Sequence, residues 1–225
     1  MDLRSTDRLY VTGTDTGAGK TVASCALLHA LRSAGRRAVG MKPVASGCTR
    51  IDGAWRNEDA LALQAASDPR PAYADLNPYA LPDPLAPELA ARAAGVEVAL
   101  PPLLEAFGAL RARADVVVVE GVGGWAAPLA GDVDQADLAR ALQAPVVLVV
   151  GMRLGCLNHA RLSARAISAD GFRLAGWIAS EVDPDMACRE ENFELLTARL
   201  DVPCLGRLPW SADPDPVSLA GGLSL

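Results

Sequence analysis

Arg8-Leu9-Tyr10-Val11-Thr12, followed by Gly13-Thr14-Asp15-Thr16-Gly17-Ala18-Gly19-Lys20-Thr21, is the stretch on which the fold turns. The first five residues read as a short buried strand and the next run as a turn of small residues. Helix periodicity begins near Lys20: Val22, Ala26 and Ala30 recur at four-residue spacing, as do Ala23, Leu27 and Leu31, with Gly35 as the stop signal. A phosphate cradle needs this order of parts. Small residues let backbone N–H groups turn inward, a lysine reaches the β/γ oxygens, and a hydroxyl is placed for Mg²⁺. Gly17, Gly19, Lys20 and Thr21 supply these at a helix N-terminus, whose partial positive charge favours an anion. The usual spacing puts the first glycine at position 14; here that residue is Thr, and Gly13 comes one residue early.

Outward from this turn, short apolar strands alternate with helical periodicity. Strands are expected at 38–41, 115–119, 145–150, 174–179 and around 204–208. Helices are expected from the Asn57 cap through Ala65, near 87–94, over 101–113, 137–142 and 157–169, and near 189–200. The proline-rich stretch Asp68 to Pro87 reads as mostly loop, and the tail after Trp210 carries little pattern. Asp115-Val116-Val117-Val118-Val119 is an unbroken apolar run after its first residue, as expected of a strand covered on both faces. The alternation predicts an α/β fold of the P-loop NTPase kind, a mostly parallel sheet with helices on both faces, in one domain over 1–225. Ligands of such sheets sit at the carboxyl ends of the strands, and the chemically suggestive residues fall there.

Composition narrows the function. The chain has 225 residues, 51% of them hydrophobic, enough for a sizeable core. A net charge of −6 argues against a general nucleic-acid or anionic-membrane binder. The five cysteines are scattered, with no C-x-x-C pair, and only His29 and His159 accompany them, too few for a thiolate or imidazole zinc site. The apolar run Pro145 to Val150 is too short to cross a bilayer. A cytoplasmic, reduced setting is the expectation.

Three further clusters bear on chemistry. Glu120, in Val118-Val119-Glu120-Gly121-Val122-Gly123-Gly124, ends a buried strand where P-loop proteins keep a magnesium-directed carboxylate, and its glycines permit close approach to a ligand. Lys42, in Lys42-Pro43-Val44-Ala45-Ser46-Gly47, stands just past the second strand, where it could neutralise a transferring phosphoryl group; a solvated surface lysine fits the spacing equally well. Asp59 lies in the first turn of a helix, where an acid complements the dipole, and that reading leads on local grounds. His159 reads as structural, the four tryptophans as core, and no Ser/His/Asp or Cys/His arrangement is supported by spacing.

Taken together and in order, seven segments from about Leu9 to Trp210 resemble the dethiobiotin synthase family: TGTDTGAGKT (12–21), MKPVASG (41–47), RNEDALALQ (56–64), VEGVGGWAAP (119–128), VVGMRLGCLNH (149–159), GWIASEV (176–182) and LGRLPW (205–210). The resemblance implies a deviant Walker P-loop fold and a homodimer. It also implies ATP-dependent carboxylation and ring closure of 7,8-diaminononanoate with CO₂ to dethiobiotin, ADP and phosphate, with Mg²⁺ as cofactor. By the same resemblance Lys42 and Lys20 are catalytic, and Thr21, Asp59 and Glu120 are the magnesium ligands. The nucleotide contacts are Gly17 to Val22 (Ala18 among them), Asp59, Glu120 to Gly123, Ser180, Glu181, and Leu208, Pro209 and Trp210. Thr16, Ser46, Gly155, Cys156 and Asn158 would meet the diamine, the last three across the dimer interface. The chain departs from the family pattern at Gly17, where many members carry Glu, and at Ser180-Glu181, where Asn-Asp is frequent. Against a regulatory switch ATPase of the same group stands Asp15, where the signature lysine of such switches would lie. A glutamine-dependent amide ligase would need a glutaminase domain for which 225 residues leave no room, and a nucleotide-binding structural protein would form no product.

Overall fold

The structure is a computed structural model that describes residues 2–131 and 133–225. The strand read from Arg8 extends to Gly13 (β1), and α1 (Lys20–Ser33) follows the glycine turn. Gly35 ends that helix as expected: its φ of +83° is left-handed and its N–H donates to Arg32 O. β2 (Ala38–Met41) leads through β3 (Val44–Ala45) to a hairpin of β4 (Thr49–Ile51) and β5 (Ala54–Arg56). α2 (Glu58–Ala66) is capped by Asn57, whose side chain accepts from Ala60 N at 3.2 Å. Between Asp68 and Pro87, expected as mostly loop, lie the short helix α3 (Tyr73–Leu76) and β6 (Tyr79–Ala80), which pairs with β3.

α4 (Pro87–Ala94) and α5 (Leu100–Arg111) stand where expected, each started by proline in its first turn. β7 (Val116–Gly124) runs on through the glycines, and the small pair β8 (Pro128–Ala130) and β9 (Val133–Asp134) follows. α6 (Gln135–Leu142), β10 (Val146–Met152), α7 (Cys156–Ala169), β11 (Leu174–Glu181), α8 (Arg189–Arg199) and β12 (Cys204–Leu208) then alternate as the periodicity predicts. The patternless tail contains α9 (Pro216–Ala220), packed against α1.

The central sheet has the order β12-β11-β10-β1-β7-β2, and every pairing in it is parallel. From β1 the chain goes to β2 and β7 on one side, then back past β1 to β10 on the other, so the loops diverge at the carboxyl end of β1. Side chains alternate between two cores. Val117 and Val119 join Leu103, Phe107 and Leu138 of α5 and α6, whereas Val116 and Val118 join Leu27, Leu31 and Leu63 of α1 and α2. That explains why the strands read as continuous apolar runs: both faces are dry.

The helical layer of α1 and α2 lies so close to β2 that only glycine fits at position 40. A Cβ there would stand 2.9 Å from Leu63 Cβ and 3.2 Å from Leu28 Cδ1. Gly40→Ala is therefore expected to lower stability by about 1–3 kcal/mol, the usual cost of overpacking. A urea unfolding midpoint unchanged from the parent would contradict this close approach.

Candidate active site

Register sets the height of the key side chains. Met41 of β2 pairs with Val119 of β7, so the next residues, Lys42 and Glu120, lie level, and alternation turns both towards the α1/α2 face. The first turns of those helices present Thr21 and Asp59. Lys42 Nζ donates to Glu120 Oε1 at 2.6 Å, to Asp59 Oδ2 at 3.1 Å and to Gly121 O at 3.4 Å. Thr21 Oγ1 donates to the same Glu120 Oε1 at 2.9 Å. Glu120 is fully buried, and its Oε2 has no hydrogen-bond partner. Sequence-distant residues read separately thus meet at one point.

The electrostatics follow from this packing. Burial pushes the Lys42 ammonium towards its neutral form, but the charges of Glu120 and Asp59 outweigh it and hold the lysine above its ordinary range. Burial opposes ionisation of Asp59 too, yet the charge of Lys42 beside it and the hydrogen bond Lys42 donates bring the carboxyl below its usual value. For Lys20 the nearby charges of Glu120, Asp59 and Asp15 offset only part of the cost of burial. Burial, reinforced by the charge of Lys42, lowers it to about 8.

The glycine turn owes its shape to specific neighbours. A Cβ on Gly13 would stand 3.1 Å from Lys20 Cγ and Cδ, so the lysine stem passes directly over it. Lys20 Nζ reaches Asp15 O at 2.9 Å. Thr14 Oγ1 accepts from Gly151 N at 3.2 Å, tying the turn to β10. Gly19 has φ +83°, and a Cβ there would collide with Ser180 Oγ.

Thr16, Gly17, Gly19, Lys20, Thr21, Val22, Lys42, Ser46, Asp59, Glu120, Val122 and Gly123, all singled out from sequence, line one cavity of about 760 Å³. Gly19 and Val22 also line an adjoining groove of about 210 Å³ with Ser180, Glu181, Leu208, Pro209 and Trp210. In that groove Glu181 is engaged by Arg189 at 3.1 Å and Arg207 at 2.9 Å. Ala18 and Gly121 line neither; they are buried behind the turn and behind Glu120. Gly155, Cys156 and Asn158 also lie outside both, at the start of α7, where Gly155 has φ +96°, Cys156 is buried and Asn158 is exposed.

Sequence reasoning missed Ala45, Asn57, Pro84, Leu85, Ala86, Pro87 and Ala127, which also line the cavity. It also missed what the proline-rich segment does for Lys42. Lys42 N donates to Leu76 O at 2.8 Å, and Asn77 Nδ2 donates to Lys42 O at 2.7 Å, so that segment holds the lysine backbone. The only local signal was the four-residue helix between prolines, too short for periodicity to register.

A family model described as an AAA domain matches residues 7–218. The protein named ATP-dependent dethiobiotin synthetase BioD from Xanthomonas oryzae pv. oryzae is 68% identical over 216 residues, which are 96% of each chain. The Xylella fastidiosa protein of that name is 69% identical over 205 residues, 91% of each. Among solved structures, the MinC:MinD cell division protein complex of Aquifex aeolicus is similar with a TM-score of 0.54 at 11% identity, over 92% of this chain and 83% of that one. The signal recognition particle receptor FtsY of Elizabethkingia anophelis in complex with GDP gives 0.51 at 16% identity, over 95% of this chain and only 59% of that longer one. These two distant likenesses speak to the fold alone. Identity of this order across nearly the whole length speaks to more: the chain belongs to the ATP-dependent dethiobiotin synthetase family.

Proposed function

We propose that this chain, as one P-loop ligase domain, closes the ureido ring of dethiobiotin from 7,8-diaminononanoate, CO₂ and ATP. The observation that carries the reading is the meeting of Lys20, Thr21, Lys42, Asp59 and Glu120 on one cavity at the carboxyl ends of β1, β2 and β7. The identity to named dethiobiotin synthetases supports the substrates. The regulatory-switch alternative finds no support among these relatives.

The chemistry asks for position and charge, not a protein nucleophile. One amine of the diamine bonds to the carbon of CO₂ and loses a proton, giving a carbamate. A carbamate oxygen bonds to the γ-phosphorus as the bond to the ADP oxygen breaks. The second amine then attacks the carbamoyl carbon, expels phosphate and loses a proton, closing the cyclic urea. Negative charge accumulates on the phosphoryl oxygens in the middle step, and Lys20 and Lys42 on the same cavity are the groups that spread it. Ser46 and Thr16 on that cavity suit the polar end of the diamine, and Gly17 to Thr21 suit the triphosphate.

Thr21, Asp59 and Glu120 form a hard oxygen set that fits Mg²⁺ shared with phosphates, and the unpartnered Oε2 of Glu120 is a ready acceptor. Two carboxylates and one hydroxyl are too few to hold an ion alone. That accords with the lack of any metal-holding group of three or more His, Cys, Asp or Glu side chains among the described residues. When bound, magnesium would neutralise charge on the β- and γ-oxygens.

A homodimer fits the surface beside α7. Leu154 is 94% exposed and Leu162 54%, and Gly155 and Asn158 beside them are exposed too, whereas Cys156 is packed in the core. A second copy covering the leucines would bring Gly155 and Asn158 to a neighbouring site, with Cys156 supporting that turn from the core. No helix among the described residues is long and apolar enough to cross a membrane.

Incubation with the diamine, bicarbonate and Mg·ATP should yield the cyclic urea by mass spectrometry; ATP turnover indifferent to the diamine would reject the reading. Lys42→Gln, which keeps an N–H for Glu120, should fold normally and lose at least about a hundredfold in kcat, the scale of removing one charge-stabilising donor. Turnover close to the parent would strip Lys42 of its role. Asp59→Asn should shift the Mg²⁺ titration of activity to higher concentration, and an unchanged titration would return Asp59 to a helix-start acid.

A further inference from the structure

Gln135, the first residue of α6, is fully buried yet belongs to neither the cavity nor the apolar core. Its amide is saturated by the turn that follows Glu120. Oε1 accepts from Val122 N at 3.0 Å and from Tyr10 Oη at 3.0 Å. Nε2 donates to Val122 O at 2.8 Å, to Gly124 O in a short contact, and to Ala127 O at 3.4 Å. A Cβ on Gly121 would collide with Gln135 Oε1, so the amide and the glycine are fitted to each other.

The clamped turn is the part of β7 that faces the reaction. Val122, Gly123 and Ala127 line the cavity beside Thr16 and Lys42. Gly123 has φ +62°, and a Cβ on it would lie 3.2 Å from Ala127 Cβ and 3.7 Å from Thr16 Oγ1. Gly124 lies on the carbonyls of Gly13 and Thr14. Glycines give this turn freedom to take many shapes, and one buried side chain removes that freedom. At its other end Gln135 is held by the start of α6, where Asp134 N donates to Asp137 Oδ2 at 2.9 Å, and by Tyr10 of β1.

From this network we infer that Gln135 is a positioning residue for the ligation: it fixes the Gly121–Ala127 turn against Thr14–Thr16, and so sets the distance across the cavity between the diamine and the γ-phosphate. The inference rests on the proposed reaction. Among the described residues no other side chain both donates to and accepts from this turn. Glutamate keeps the acceptors and loses both donors, and leucine keeps only the volume.

The test compares Gln135→Glu and Gln135→Leu with the parent in three readouts: steady-state kcat and KM, binding of Mg·ATP to the free enzyme, and hydrogen exchange at 122–127. Small misplacement of reacting groups costs rate far more than binding, so kcat should fall at least about tenfold while nucleotide affinity changes less than about threefold. Exchange at Val122, whose N–H the Gln135 amide oxygen holds, should accelerate in Gln135→Leu, with protection of β1 and β10 unchanged. Unaltered kcat in a variant whose turn exchanges faster would overturn the inference, as would unaltered exchange at Val122 in Gln135→Leu, or a loss of kcat that merely tracks the unfolded fraction. If the parent makes no cyclic urea, the proposed reaction fails on its own account; the exchange readout still decides whether the clamp exists.

Discussion

The ammonium of Lys42 and the carboxylate of Glu120, 2.6 Å apart, could not either of them be buried alone. A single charge on that dry face would neutralise or draw in water; together, with Thr21 and Asp59 adding hydrogen bonds, they form a stable polar centre between sheet and helices. The centre depends on β2 and β7 keeping their register. A slip of one residue would turn Lys42 to the opposite face and leave Glu120 uncompensated. The rest of the architecture on this side serves that demand. Gly40 lets α2 come close enough to deliver Asp59, and Leu76 and Asn77 hold the Lys42 backbone where β2 ends.

The strands and the end of the cavity formed by the glycine turn were legible because their signals are local. The run 116–119 is apolar on both faces, the glycine turn is contiguous, and a residue just past a strand must stand at its carboxyl end. Asp59 shows where local reasoning stops: its helix-start role is real, and only the proximity of Lys42, 17 positions away, adds another. The β4–β5 hairpin was within reach, since Asp52-Gly53 adopts φ of +51° and +79° between its strands, a turn signal that could have been used. Gln135 was not: it acts on a turn 8 to 13 residues earlier, and nothing in the alternation marks it. The placing of Gly155 and Asn158 is likewise beyond pattern, for it concerns a surface of α7 and not the interior, where Cys156 lies.

The unusual glycine spacing has a physical account. Position 13 needs glycine because the Lys20 stem crosses it, and position 14 tolerates Thr because its hydroxyl is taken up by Gly151 N–H. Threonine there adds a tie from the turn to β10 that a glycine could not make. At Gly17, φ is +70° and the space around a Cβ is open, so a larger residue would meet backbone strain but no neighbour. The glycine at 17 relaxes the turn, and the tie at Thr14 stiffens it one strand away.

The groove lined by Ser180, Glu181 and Trp210 is built differently. Glu181 is committed to Arg189 and Arg207, and Arg207 is shared with Glu190 at 2.6 Å. With those charges spent on one another, Ser180 brings a single hydroxyl to this groove, which we propose takes the nucleotide base; an asparagine would offer a paired donor and acceptor. One neutral hydrogen bond is worth about 0.5–1.5 kcal/mol net, whereas charge-assisted bonds to phosphate are roughly twice as strong and several are available from Lys20, Lys42 and the turn. On the proposed assignment, then, the nucleotide is held chiefly by its phosphates. Gly19 links the two ends: its lack of a Cβ both opens the helix N-terminus to the phosphates and admits Ser180 against the turn, so a change at this one position would disturb the base and the triphosphate together.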